Sequence, residues 1–284
     1  MTSKMVLAGL ALALSGGTAL ADSRGAGEVT AVSVTLIDLD PNDGVTPSIS
    51  FAASANDYAG PYAYGYVRAS TPEEDIYREY TRTGATPTSG VSGSSSTAWS
   101  SASSGAAGAD GVGFASLSVK GEALSGAGIS GVYYATSNAP AAWFTLSANT
   151  QVVFTVTASL SGQTTLGGDP DTGFVENGGA VLQLETRGPS ADGTTTVYDR
   201  QSAAAVAWYL VADDGTVSGE SQSWSGQLAS SYSNTTGDAV DGRFSAVLSV
   251  AGTSVVAAVP EPSSTALILA GLAAVGGIAR RRRA

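Results

Sequence analysis

The chain has 284 residues, a net charge of −11 from 13 Lys and Arg against 24 Asp and Glu, and neither cysteine nor histidine. Without those two residue types, one copy of the chain cannot build a disulfide framework, a Cys/His zinc site, a Ser-His-Asp triad or a Cys-His pair. The acidic balance repels phosphate backbones and anionic lipid, so no nucleic-acid partner is expected.

The first residues read as an export signal. Lys4 supplies a positive start, Met5 to Leu14 an apolar stretch, and Ser15 to Ala21 a small-residue segment ending in Ala19-Leu20-Ala21, an A-x-A cleavage pattern. About ten apolar residues are too few to cross roughly 30 Å of hydrocarbon. Residues 1–21 are therefore predicted to be a signal peptide, with the mature chain beginning at Asp22.

Val29 to Leu39, VTAVSVTLIDL, alternates apolar and polar residues with the period of a strand. The signature returns at Trp143–Leu146, Gln151–Leu160, Gly179–Glu185, Val206–Val211 and Phe244–Val250. Turn formers separate these runs: 40–44, 167–171, Asp192-Gly193, 213–215 and Asp241-Gly242. Short strands divided by turn signals predict an all-β domain over residues 22–258, an antiparallel β-sandwich or jelly roll.

After the first strand, Asp38, Asp40, Asn42 and Asp43 offer oxygen donors at a spacing suited to Ca²⁺. The pattern is not an EF-hand loop, and turn chemistry accounts for the same residues. Asp169, Asp171 and Glu176 with Asp213 and Asp214 form a second such set. No other cofactor is suggested. Tyr62, Tyr64 and Tyr66 alternate behind Tyr58, so an extended chain places these three rings on one face. That face either packs into the core or forms a platform on which sugar rings stack.

Thr71 to Thr81, TPEEDIYREYT, has a Thr cap, a Pro in the first turn and acidic residues after it, which predicts a turn or two of helix. Its carboxylates Glu73, Glu74, Asp75 and Glu79 then fall on a solvated helix rather than across a groove, and no catalytic residues are assigned. Ser89 to Gly113 is almost entirely Ser, Gly and Ala, too poor in apolar area to offset its ordering entropy, and is predicted to be a surface loop. A weak small-residue edge strand is the alternative. Trp99, Trp143, Trp208 and Trp224 are scattered and read as core or loop anchors.

The chain closes on Pro260-Glu261-Pro262, an uncharged stretch from Ala266 to Ala279, and Arg280, Arg281, Arg282 and Arg283. The two prolines remove two donors and break sheet or helix. Fourteen uncharged residues make roughly 21 Å of helix, a marginal membrane span, and Gly271, Gly276 and Gly277 weaken it further. The arginines supply a stop on the cytoplasmic side.

In this order the elements of Val259 to Arg283 resemble the PEP-CTERM sorting signal of Gram-negative bacteria, with Pro260-Glu261-Pro262 as the motif that gives the family its name. The resemblance implies transient insertion in the inner membrane through a short transmembrane helix, cleavage by an exosortase, and delivery to the cell surface or extracellular matrix of an exopolysaccharide producer. The expected function is structural or adhesive, linked to exopolysaccharide and biofilm, without catalysis. A carbohydrate- or ice-binding module is the second expectation, and a glycan-active enzyme the third. An exposed tyrosine row or a flat threonine-rich face distinguishes the second.

Overall fold

A computed structural model describes residues 21–52, 60–112, 114–126, 128–165, 176–208, 210–211 and 217–255. In chain order the strands are β1 (Ala21–Asp38), β2 (Ile49–Ala52), β3 (Tyr62–Ser70), β4 (Asp75–Thr83), β5 (Gly90–Ser96), β6 (Ser100–Ala107), β7 (Ser116–Ser125), β8 (Ser130–Asn138), β9 (Ala142–Leu146), β10 (Thr150–Thr164), β11 (Asn177–Pro189), β12 (Thr196–Trp208), β13 (Leu210–Val211), β14 (Val217–Ser218), β15 (Ser221–Asn234) and β16 (Val240–Val255). No helix occurs among the described residues, and none there is long and apolar enough to cross a membrane. The expected signal-peptide residues, Ala19 included, and the whole C-terminal motif with Pro260, Glu261, Pro262 and Arg280 to Arg283 lie outside the described residues.

The strands form two antiparallel sheets. The first runs β15-β10-β1-β7-β6-β5, and the second β12-β11-β16-β8-β3-β4, with β9 and β2 continuing the second alongside β16. The sheets stack strand over strand: β10 on β11, β1 on β16, β7 on β8 and β6 on β3. This is an aligned sandwich. Its core is a column of rings and branched side chains, with Phe154 stacked on Phe244 at 4.2 Å and Phe144, Leu182, Leu184 and Leu248 around them.

In β1 the inward positions are odd as far as Val29 and even from Val32 onward. The change comes from an irregularity between Val29 and Ala31, where Thr30 is inserted opposite β10. One extra residue shifts a period-2 pattern by one and keeps Val32, Val34 and Leu36 on the core side.

Three sequence expectations are corrected here. The Ser/Gly/Ala stretch is not a loop: Gly90–Ser96 and Ser100–Ala107 pair as a hairpin at the edge of the first sheet. Its small side chains let the sheets approach so closely that serine hydroxyls reach the opposite backbone. Ser100 Oγ donates to the Arg68 carbonyl at 3.2 Å and Ser104 Oγ to the Tyr64 carbonyl at 3.3 Å, while Ser137 Oγ donates the other way to Gly105 at 2.6 Å. The expected helix at 71–81 is likewise replaced by the β3-β4 hairpin, in which Ser70 pairs with Asp75 and Tyr62 with Thr83. Thr71 does cap, but it caps a turn, its hydroxyl accepting the N–H groups of Glu73 and Glu74. Asp241-Gly242 also lies within β16 rather than in a turn; a Cβ on Gly242 would fall 2.3 Å from the Phe144 ring.

Candidate functional site

In β3 the inward residues are Ala63, Gly65, Val67 and Ala69, all buried, and the outward ones are Tyr62, Tyr64, Tyr66 and Arg68. The tyrosine row therefore does not enter the core. The reason is space: β6 lies close beneath, Tyr80 and Ser104 fill the interior with their hydroxyls 2.9 Å apart, and a Cβ on Gly65 would already sit 2.6 Å from the Tyr80 oxygen. Only small residues fit inward, so the rings stand on the outer face of the second sheet.

Two neighbouring strands add to the row. β8 contributes Tyr134, directly opposite Tyr66, and β4 contributes Tyr77, opposite Arg68. Tyr66 stacks on Tyr134 at 5.5 Å and on Tyr77 at 5.7 Å, and Tyr64 lies 6.4 Å from Tyr62 and 6.2 Å from Tyr134. Tyr77 is 55% exposed, and the other four rings are half-buried against one another. Tyr77 donates its hydroxyl to the Glu79 carboxylate at 2.9 Å, which pushes the phenol pKa well up. At the open end, Asp75 takes up Arg68 at 3.0 Å and the Ser70 hydroxyl, and these bonds hold its pKa down.

The tyrosine rows continue across the sheet. Tyr62, Asn138, Val247, Gln183 and Ser202 are successive neighbours on β3, β8, β16, β11 and β12, and Tyr66 leads through Tyr134 and Ala251 to Gly179. Beside Val247 lies a shallow depression of about 450 Å³, lined by Gln183, Glu185, Arg200, Ser202 and Ser245. Arg200 bonds Glu185 at 2.7 Å and lies 4.9 Å over the Tyr198 ring. An aromatic platform leading into a polar trough matches what a sugar chain offers, apolar ring faces and a fringe of hydroxyls.

The outer face of the first sheet differs. Ser221, Ser223 and Ser225 of β15 lie opposite Gln163, Ser161 and Ser159 of β10, followed by Thr157 and Thr155, and Ser92, Ser94, Ser101 and Ser103 extend the hydroxyl array on β5 and β6.

The Asp38–Asp43 segment is a run of turns. Asp38, Asp40 and Asp43 each accept the N–H two residues on, and the second oxygen of Asp43 accepts Asn149 Nδ2 at 2.7 Å, which lowers the Asp43 pKa. No group of three or more acidic residues among the described residues is placed to hold a metal ion. Of the second set, Asp169, Asp171, Asp213 and Asp214 lie outside the described residues, while Glu176 is buried and accepts the Ser254 hydroxyl at 3.0 Å. Glu73 and Glu74 sit in the β3-β4 turn. Trp208 is 51% exposed rather than anchored.

A family model described as a PEP-CTERM protein-sorting motif matches residues 258–283. The chain carries a PEP-CTERM sorting motif. The match covers the tail that sequence reading singled out, and it implies export with exosortase processing. No curated protein matches the chain. Among solved structures, one described as "Structural basis for the promiscuous specificity of the carbohydrate-binding modules from the beta-sandwich super family" aligns with 74% of this chain and 97% of its own at 9% identity, with a TM-score of 0.12. A superposition that poor establishes neither a common fold nor a common function. The reading of the body rests on its own geometry.

Proposed function

We propose that this protein is a non-catalytic adhesin of the cell surface or extracellular matrix, delivered through its tail and holding exopolysaccharide on the tyrosine face of its second sheet. The observation that carries the reading is the outward stack of Tyr62, Tyr64, Tyr66, Tyr77 and Tyr134. A sheet face that only needed solvation would not carry five contiguous rings, because exposed aromatic area is costly unless a partner covers it. Affinity electrophoresis of the full-length protein through gels containing the host's exopolysaccharide tests it. The Tyr64→Ala/Tyr66→Ala double variant should lose about tenfold in affinity, a change of about 1.4 kcal/mol, while remaining folded. Equal retardation of variant and wild type would defeat the proposal.

The hydroxyl array on the first sheet favours a second reading, adsorption to an ordered surface such as ice, since β strands repeat at about 4.8 Å across and nearly 7 Å along a flat face. Substituting Thr157 by Tyr would abolish thermal hysteresis under that reading and leave polysaccharide retention untouched under the first.

A further inference from the structure

Farther along the same outer face stand two arginines that, among the described residues, take part in no ion pair. Arg187 of β11 and Arg243 of β16 are directly opposite each other in the antiparallel ladder, where like charges destabilise a sheet. Among the described residues the ion pairs join Arg24 to Asp22 and Glu122, Arg68 to Asp75 and Arg200 to Glu185; neither Arg187 nor Arg243 takes part. Arg243 Nε is buried with no hydrogen-bond partner, an unmet donor of a kind native structures rarely keep. The nearest acidic groups are already engaged. Glu185 is held by Arg200, and Asp241 accepts the Thr145 hydroxyl at 2.7 Å.

What surrounds the pair has the character of a ligand pocket. Arg243 lies 5.7 Å from the Trp143 ring centroid and Arg187 6.0 Å from that of Tyr198. Both arginines line an open depression of about 520 Å³, together with Trp143, Thr194, Thr195 and one carboxylate, Asp241. Burial and the charge of Arg187 lower the pKa of Arg243, with Glu185 acting in the opposite sense. An oxyanion in the depression would relieve the repulsion and satisfy the idle donor at once.

We propose that Arg187 and Arg243 form a subsite for the carboxylate of an acidic sugar residue, with Trp143 beside its ring. The subsite deepens the glycan reading above and rests on it, and it names the substrate class as a uronate-bearing polysaccharide. Two arginines lining one depression suit a carboxylate, which guanidinium groups bind by paired charge-assisted hydrogen bonds. Position supports the link. Arg243 is four residues along β16 from Val247, which Asn138 separates from Tyr62. Strand rise and spacing therefore place the pair roughly 16 Å from the tyrosine platform, with the Gln183–Ser245 trough between them.

The test compares the retention of full-length protein by polygalacturonate, by neutral dextran and by dextran sulfate. Arg187→Gln and Arg243→Gln should each weaken polygalacturonate binding about tenfold, leave dextran binding unchanged, and keep or raise the melting temperature because a repulsion is removed. Arg243→Lys, which keeps the charge and loses the fork, should recover only part of the affinity. Unchanged polygalacturonate binding in both glutamine variants overturns the subsite, and tighter binding of dextran sulfate overturns the carboxylate assignment. If wild type retains none of the three polymers, the glycan reading fails. Free galacturonate titrated against the fluorescence of Trp143 then judges the arginines separately: a response that Arg243→Gln abolishes supports an acid site, and no response ends it.

Discussion

Gly121 and Tyr133 meet across the sandwich at a distance that leaves no room for a side chain on the first: a Cβ on Gly121 would lie 2.0 Å from Tyr133 Cδ2. Tyr133 is 1% exposed, and Gly252 and Gly178 close the other sides of the slot it fills, Cβ atoms there falling 2.3 and 2.9 Å from its hydroxyl oxygen. The glycines are what make room for the Tyr133 ring between the two sheets. Gly121→Ala should therefore evict the ring and cost about 1–3 kcal/mol, lowering the melting temperature by several degrees in calorimetry. Gly90 has open space around it and serves as the control. A Gly121→Ala melting curve superimposed on wild type would refute the packing account.

The closeness of the two sheets explains which strands were readable. β1, β10 and β16 announce themselves because Val, Leu and Phe alternate with Ser and Thr, so hydropathy alone shows the period. β5 and β6 bury Ser100, Ala102 and Ser104 instead, and are stabilised by closeness and by hydroxyl-to-carbonyl bonds across the gap, to which hydropathy is blind. The Thr71 cap is a real local signal that a helix and a turn share; the tertiary pairing of Ser70 with Asp75 decides for the turn. Alternation likewise put Tyr62, Tyr64 and Tyr66 on one face without saying which. That was settled by Gly65 beneath Tyr80, a contact between residues on different strands. Tyr134 and Tyr77 went unnoticed because the register that brings them beside Tyr66 is written nowhere in the local sequence. Sequence did expose the tail, whose signal is composition and order rather than contact.

The β11-β12 hairpin should carry an acid-sensitive part of the stability. Asp192 accepts the Ser190 hydroxyl at 2.5 Å and both the N–H and hydroxyl of Thr194, and these bonds hold its pKa down at about 2. A lowered folded-state pKa means the contribution is complete above the unfolded value of about 4 and is lost as pH falls through the folded value. The stability difference between wild type and Asp192→Ala should thus be constant at neutral pH, shrink below about pH 4, and be lost as the pH falls through about 2. Urea unfolding at a series of pH values measures it. A difference that grows on acidification would reverse the sign and reject the assignment.

Calcium should add little to the fold. The carboxylates of Asp38, Asp40 and Asp43 are spent on their own turns, and Asp43 also ties the segment to Asn149, which adopts a left-handed φ of 47°. Lone pairs remain on these carboxylates, but no group of three or more acidic residues among the described residues converges to hold an ion. Adding calcium at about 5 mM should leave the melting temperature unchanged, whereas specific binding well above its dissociation constant would raise it by several degrees. Asp43→Ala should loosen the 40–44 turn without altering any calcium response.

Sorting should depend on the proline pair and not on the body. Pro260 and Pro262 each fix φ and remove a backbone donor, which sets these two positions apart from a regular sheet or helix sequence. Pro260→Ala/Pro262→Ala restores both donors and removes the two prolines from the sorting motif matched at residues 258–283. In the native host, the double variant should accumulate as full-length protein in the inner-membrane fraction, while wild type appears as a shorter form outside it. Mass spectrometry of the C-terminal peptide reads the difference directly. Release of a normally processed double variant would show that the prolines do not define the cleavage site, and would separate the routing of this protein from the motif that marks it.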